Sequence, residues 1–159
     1  MTQFLAENSD LIIKLILALF LGGLIGLERF LVHKNAGMKT HALVSMGSAL
    51  FIIISELLAL KYAYGAYDPS RIASQIIVGI GFLGAGSIML SGPRVVGLTT
   101  AGGLWVTAGI GMAVGFGFYN LAIIATVLVL GIFILMSILE RPIRDMVEDK
   151  MDDKIKDKN

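Results

Sequence analysis

The sequence predicts an all-α polytopic membrane protein with five transmembrane helices and a short cytoplasmic amphipathic tail helix. Its 159 residues are 56% hydrophobic and have a mean hydropathy of +0.82, whereas soluble domains are roughly 45–50% apolar. Of its 25 charged residues, 13 lie in the last twenty positions, which leaves 12 for the first 139. A soluble chain of this length has too small a core to hide so much apolar surface.

Five apolar stretches approach the roughly 20 residues that a helix needs to cross the hydrocarbon core of a bilayer. Helices are favoured because every backbone polar group in lipid must be bonded internally. The expected spans are Leu11–Leu27, Thr40–Leu60, Ile72–Leu90, Leu98–Phe118 and Leu121–Leu139. Residues 1–139 are therefore predicted to form one transmembrane domain, and residues 140–159 a charged juxtamembrane tail.

The distribution of basic residues predicts the orientation of the chain. The side with the first connector, the third connector and the tail carries ten Lys and Arg residues, whereas the other side carries two, Lys61 and Arg71. Cytoplasmic loops are enriched in Lys and Arg. We therefore expect a cytoplasmic C-terminus and, after five spans, an N-terminus outside.

The tail is predicted to be a separate helix with Pro142 in its first turn, a position that proline suits. Apolar residues fall on one helical face, among them Ile143, Val147 and Ile155, with charges elsewhere. A solvated juxtamembrane helix is the favoured interpretation, and a self-association seam or a membrane-surface helix are the alternatives.

Glycines are concentrated in the third and fourth stretches, with 12 of the 19 between Gly79 and Gly117. Residues 79–84 match the G-x-G-x-x-G fingerprint of dinucleotide-binding folds, but they lie within a membrane span and lack the required strand and acidic residue. Small faces that let helices approach closely in lipid are the better interpretation. The glycines expected at close helix contacts are Gly22, Gly26, Gly79, Gly81, Gly84, Gly86, Gly111 and Gly115.

Polar residues within or at the ends of the spans are the candidate functional residues, because such groups are costly in a membrane. They are Glu28, Arg29, Thr40, His41, Asp68, Arg71, Gln75, Thr99, Thr100 and Trp105. Each has a structural alternative: an interfacial anchor pair for Glu28 and Arg29, helix caps for the Thr and Asp residues, and a packing aromatic for the Trp.

Two geometric expectations follow for the charged candidates. The side chain of Glu28 is expected to point into the bundle, toward the start of the fourth helix. Arg71 is expected to pair with Asp68 or Glu56 near the outer surface, since an unpaired charge there is expensive.

Several classes of function are disfavoured. The sequence has no nucleophile–base set, no zinc-ligand spacing and no paired-carboxylate site, so we expect neither enzyme activity nor a metal site nor a cofactor. A net charge of +1 argues against nucleic-acid binding.

Four blocks of the sequence resemble a known family. They are GLIGLER (23–29), AGMKTHALVSMGSALF (36–51), DPSRIASQIIVGIGFLGAGSIM (68–89) and VVGLTTAGGLWVTAGIGMAVGFGFY (95–119). In this order and spacing they closely resemble the MgtC/SapB family of bacterial inner-membrane proteins, here without the C-terminal soluble domain that many members carry.

The resemblance implies a five-helix domain with its C-terminus inside and a link to growth at low magnesium, survival in phagocytes and acid tolerance. It implies partners among membrane complexes, namely a Mg²⁺-transporting P-type ATPase or the ATP synthase, which virulence members bind and restrain. Those members have Asn and Cys where this chain has Thr99 and Val106, so restraint of the ATP synthase is not carried over.

The favoured function is a non-enzymatic modulator of other membrane complexes. The alternative is a small-solute or ion transporter or channel, monomeric or a homodimer, with Glu28, Arg29, Arg71, Gln75 and Thr100 around a cavity. Lipid binding between helices is a third option.

Overall fold

A computed structural model describes residues 8–62, 68 and 70–156 of the chain. The described chain is almost entirely helical, which confirms the all-α prediction. Its helices are α1 (Ser9–Leu31), α2 (Met38–Tyr62), α3 (Ser70–Gly86), α4 (Leu98–Gly115) and α5 (Tyr119–Lys156), and its two strands are β1 (Met89–Ser91) and β2 (Arg94–Val96).

Within the described part of the chain, four helices are long and apolar enough to cross a membrane: α1, α2, α4 and the Tyr119–Leu139 part of α5. The fifth, α3, is apolar but has 17 residues, which extend about 26 Å at 1.5 Å per residue. Many large apolar side chains lie on the outside of the bundle, as expected where lipid is the solvent. The chain is therefore a multi-pass membrane protein.

The interior of the bundle is formed by α1, α2, α4 and the first half of α5. Small and branched side chains fill it, including Ala18, Ile25, Ala49 and Val114, all fully buried. Glycines bring the backbones together there. A Cβ added at Gly115, for example, would lie 2.8 Å from the Cβ of Ile52.

The third predicted span, Ile72–Leu90, is too long at its C-terminal end. The helix stops at Gly86, and Met89–Ser91 pairs with Arg94–Val96 as a short antiparallel hairpin. Gly92 in the turn and Gly97 after β2 have positive φ values of 60° and 95°, which glycine adopts without steric cost. The predicted connector 91–97 is thus the turn and second strand of this hairpin.

The predicted break before the tail is absent. Helix α5 continues through Pro142 to Lys156, so the tail does not start a new helix. A proline inside a helix removes one hydrogen bond, here to the carbonyl of Ile138, and can bend a helix without ending it.

Candidate functional site

A charged pair lies at the end of α1, where the chain leaves the bundle. Arg29 is 2% exposed and Glu28 is 9% exposed. The guanidinium Nη2 donates a hydrogen bond of 2.8 Å to Oε1 of Glu28, and Nε donates to Oε2. This bidentate geometry is the strong form of an Arg–carboxylate pair. Neither side chain faces solvent as a headgroup anchor would.

The guanidinium also contacts α5. Its carbon lies 3.7 Å from the centre of the Phe133 ring, within the range of a cation–π interaction. The carboxylate therefore binds the edge of the guanidinium plane, and the aromatic ring covers one of its faces. Phe133 was not among the predicted site residues, because an aromatic residue in an apolar run carries no signal of its own.

His41 forms a second buried polar contact, between α2 and α4. Its ring is fully buried, and Nδ1 lies 2.9 Å from Oγ1 of Thr107. That hydroxyl donates its single proton to the carbonyl of Gly103 at 2.8 Å, so Nδ1 is the donor to Thr107. In the neutral ring Nε2 then carries the lone pair.

Two buried polar atoms near this contact have no hydrogen-bond partner among the described residues. They are Nε2 of His41 and Oγ of Ser45, which lie one helical turn apart on α2. Unpaired buried polar atoms are expensive. These two buried atoms are therefore available to accept or donate a hydrogen bond. Ser45 is not among the candidate residues predicted from the sequence.

Glycines explain how a histidine can be enclosed at this position. A Cβ added at Gly22 of α1 would lie 2.6 Å from the backbone oxygen of His41. One added at Gly103 of α4 would lie 3.3 Å from Cε1 of the same ring. The absence of side chains at Gly22 and Gly103 therefore creates the space in which His41 lies.

The other candidates at this end of the bundle divide into buried and exposed residues. Thr100 is 3% exposed, whereas its neighbour Thr99 is exposed. Thr40 is exposed on α2, and Trp105 is 53% exposed on the outside of α4. Of these four, the structure places only Thr100 inside the bundle with Glu28, Arg29 and His41.

The expected ion pair of Arg71 with Asp68 or Glu56 is absent: neither carboxylate lies within 4 Å of the Arg71 guanidinium. Glu56 lies 3.7 Å from Nζ of Lys14, which also contacts Asp10 at 3.5 Å. Lys14 is a largely buried cation in α1, and the Glu56 carboxylate forms an ion pair with it and not with Arg71. Arg71 is exposed and has no ion pair within 4 Å in the described part of the chain.

Asp68 is bound to the start of α3. Its Oδ1 accepts hydrogen bonds from the hydroxyl of Ser70 at 2.7 Å and from the amide of Ser70 at 2.9 Å. These bonds, with a smaller effect of the nearby Arg71 charge, lower the pKa of the Asp68 carboxyl below its usual value. Asp68 thus stabilises the first turn of α3. Gln75, one turn further, is exposed and lines a groove against α2.

The glycines of α3 differ from expectation. A Cβ at Gly84 would lie 3.6 Å from that of Ala101, an ordinary contact with α4. Gly79, Gly81 and Gly86 have no described atom within 4 Å of such a Cβ. The predicted close packing at these three positions is therefore absent in the described chain, because α3 packs against α4 on one side and leaves its other faces open.

Close glycine contacts occur instead among α1, α2 and α4. A Cβ added at Gly26 would lie 2.5 Å from the Cα of Met38, and a Cβ added at Gly111 would overlap the backbone of Ser45. Gly22 and Gly115, described above, make contacts of the same kind. These three helices therefore form the tightly packed part of the bundle.

The fold and the buried groups define a class: a small multi-pass helical membrane protein with a charged pair and a histidine enclosed by glycine-packed helices. Comparison with known proteins identifies the family within this class. The chain belongs to the MgtC family, whose model matches residues 15–142. This confirms the resemblance identified from the four sequence blocks.

Individual relatives agree. The chain is 48% identical over 134 residues to the "Putative magnesium transporter YhiD" of Escherichia coli K12, covering 79% of this chain and 61% of that protein. It is 42% identical to "Protein MgtC" of Brucella abortus strain 2308, covering 82% of this chain and 51% of the relative. It is 46% identical to "Protein MgtC" of Salmonella typhimurium strain 14028s, covering 75% and 49%.

The chain spans about half to three fifths of the length of these curated relatives. No solved structure matches it.

Proposed function

We propose that this chain is a non-enzymatic protein of the bacterial inner membrane that supports magnesium homeostasis and adaptation to stress or virulence by modulating other membrane complexes. Family membership links it to magnesium. The observation that carries the modulator role is the state of the polar groups in the interior. Glu28 is bound to Arg29, and Nδ1 of His41 lies within hydrogen-bonding distance of Thr107, so these groups are already engaged within the protein.

The packing around these groups supports the same proposal. Gly22 and Gly26 bring α1 onto α2, and Gly111 and Gly115 bring α4 onto α2. Helices this close leave little room for a water-filled path between them. The proposed partners are a Mg²⁺-transporting P-type ATPase or the ATP synthase, the latter without the restraint that Thr99 and Val106 argue against. Lipid-facing surfaces of the bundle are available to either partner. A monomer and a homodimer are the two alternative active forms within this proposal.

The proposed topology has five spans, with α3 and its hairpin as the third, the N-terminus outside and the C-terminus in the cytoplasm. The ten-to-two asymmetry of basic residues supports it. The chain contains no cysteine, so single cysteines introduced at Ser9 and Lys158 report each end without background. They should react with an impermeant reagent from opposite sides of the membrane. Reaction from the same side would mean an even number of spans.

Growth at low magnesium tests the site. In a strain that lacks its own copy, Glu28→Ala and Thr100→Val should fail to restore growth when each variant is expressed to the wild-type amount in the membrane, which corrects for any loss of stability. Thr99→Val is the matched control for Thr100→Val, because Thr99 is the adjacent, exposed residue. Normal growth with Glu28→Gln, which keeps the size of the side chain without its charge, would assign Glu28 a structural role only.

A magnesium transporter or channel is the second candidate. Two observations favour it: one relative is named a putative magnesium transporter, and the interior contains unpaired polar atoms on His41 and Ser45. The purified protein in liposomes that contain a magnesium-sensitive dye distinguishes the two proposals. The modulator should leave Mg²⁺ entry at the rate of empty liposomes. A protein-dependent flux that Glu28→Ala abolishes would replace the modulator by the transporter.

A further inference from the structure

Two apolar grooves flank the beginning of α2 and meet at one lysine. The first, of about 710 Å³, lies between α2 and α3. The second, of about 530 Å³, lies between α1 and α2. Lys39 and Leu43, one turn apart on α2, line both grooves. They therefore form a ridge with a cation at its end and an apolar channel on either side.

The first groove has the depth and length of an acyl-chain site. Gly47 and Gly79 line it, and a Cβ at either position would meet nothing within 4 Å, so their missing side chains create the space. From Lys39 to Phe51, both of which line the groove, α2 rises about 18 Å. This length is slightly more than half of the ~30 Å hydrocarbon core. Ile72, near the start of α3, also lines the groove, so the groove reaches at least as deep as one leaflet.

The second groove has the same character on the opposite side of the ridge. Phe20, Leu24 and Leu27 of α1 line it. Gly23 lies at its base, where an added Cβ would be 3.9 Å from that of Ala42. Among the described residues that line either groove, Lys39 is the only charged one.

The charge at the ridge is available. Lys39 is exposed and has no ion pair within 4 Å in the described chain. It lies in the first turn of α2, at the level where a membrane helix leaves the hydrocarbon core, and a lysine there keeps its ammonium group in the polar interface. An anionic headgroup is the complementary ligand at this depth.

We propose that the two grooves hold the two acyl chains of one anionic phospholipid, whose phosphate is bound by Lys39. Two channels that diverge from one cation fit a diacyl lipid better than a transmembrane helix, which is about 10 Å across and would cover one side of the Leu43 ridge. The inference goes beyond the modulator proposal and depends only on the position of the chain in a bilayer. It survives if the modulator role fails.

Native mass spectrometry of the purified full chain tests the proposal. The protein is mixed with equal amounts of phosphatidylglycerol and phosphatidylcholine of identical acyl chains. We expect one phospholipid per chain and a preference for phosphatidylglycerol. Lys39→Gln should lower that preference about fivefold, the effect of one lysine near an anionic headgroup. Lys61→Gln, at the other end of α2, is the charge control and should leave it unchanged.

Steric variants test the grooves independently of charge. Gly79→Leu should fill the first groove and reduce the retention of both lipids severalfold. Gly131→Leu is its control, because position 131 is also open but lies on α5, outside both grooves. Equal binding of the two lipids by the wild type, or unchanged retention in Gly79→Leu, would overturn the proposal. Competition by glycerol phosphate as strong as by the intact lipid would reassign the site to a free anion.

A photoreactive amino acid at Leu43 identifies the occupant in native membranes. The proposal expects an adduct with the mass of a phospholipid. An adduct with a second copy of the chain, or with another protein, would overturn it and identify the grooves as a protein interface.

Discussion

The contact between α1 and α2 at Gly22 gives the sharpest test of the bundle. A Cβ at this position would lie 2.6 Å from the backbone oxygen of His41 and 2.6 Å from Cβ of Ser45. Ordinary contacts begin near 3.4 Å, so Gly22→Ala requires the two helices to separate by about 0.8 Å. Neither contact atom can move away by rotating a side chain.

The expected cost is that of overpacking a well-packed core, about 1–3 kcal/mol. Alanine also favours a helix over glycine by about 1 kcal/mol, which offsets part of this cost. Gly23→Ala on the same turn receives that gain without the clash, since its nearest contact would be 3.9 Å. The difference between the two variants therefore isolates the packing.

Unfolding of the purified protein by a denaturing detergent, followed by the fluorescence of Trp105, measures both variants. Gly22→Ala should unfold at lower detergent concentration than the wild type, and Gly23→Ala at the same or a higher concentration. Since the contact lies against His41, Gly22→Ala should also impair growth at low magnesium. Equal stability of the two variants would refute the close approach of α1 and α2.

Three further results are expected. Glu28→Ala should destabilise the protein by about 3–5 kcal/mol because it leaves a buried guanidinium unpaired. The double change Glu28→Leu and Arg29→Met should recover most of that loss in the same unfolding assay. A double variant as unstable as the single one would contradict this account. Gly84→Leu should be less stable in detergent than the wild type and Gly131→Leu should not, since only the first contacts another helix; equal melting of both would exclude that contact. The lowered pKa of Asp68 means that its ionised form stabilises the start of α3 above the ordinary Asp pKa and loses this effect as the pH falls through the lowered value. The protection factors of the amides in that turn, which correct exchange rates for their intrinsic pH dependence, should therefore fall in acid for the wild type and be low at every pH in Asp68→Ala.

Hydropathy predicted the membrane helices well and failed where it conflicts with turn chemistry. The expected spans of α1, α2, α4 and α5 agree with the structure to within a few residues, apart from the fusion of α5 with the tail. The third span failed because Met89–Ser91 and Arg94–Val96 are joined by Gly92 and Pro93, a two-residue connection typical of a hairpin. That signal was present in the sequence, but the apolar residues on either side favoured a helix.

The candidate site was only partly predictable. Glu28, Arg29 and Arg71 stand out because charges in apolar runs are rare, but which carboxylate meets which cation depends on how the helices are arranged. Glu56 pairs with Lys14, and nothing in the sequence around either residue predicts this pairing. Phe133 and Ser45 are ordinary residues for a membrane helix, and contact with Arg29 or burial beside His41 gives them significance only after folding.

The length of α5 has a mechanical consequence. Its 38 residues extend about 57 Å, nearly twice the ~30 Å of a hydrocarbon core. Phe133, within its apolar half, lies against Arg29, and 23 residues separate it from Lys156 at the end of the helix, about 35 Å along the axis. Pro142 lies within this stretch and can bend it. If the stretch moved as one rigid rod, a tilt of about 10° at Phe133 would move the far end by about 6 Å. In that case a small rearrangement around the guanidinium would become a displacement of several ångströms at the charged end of α5.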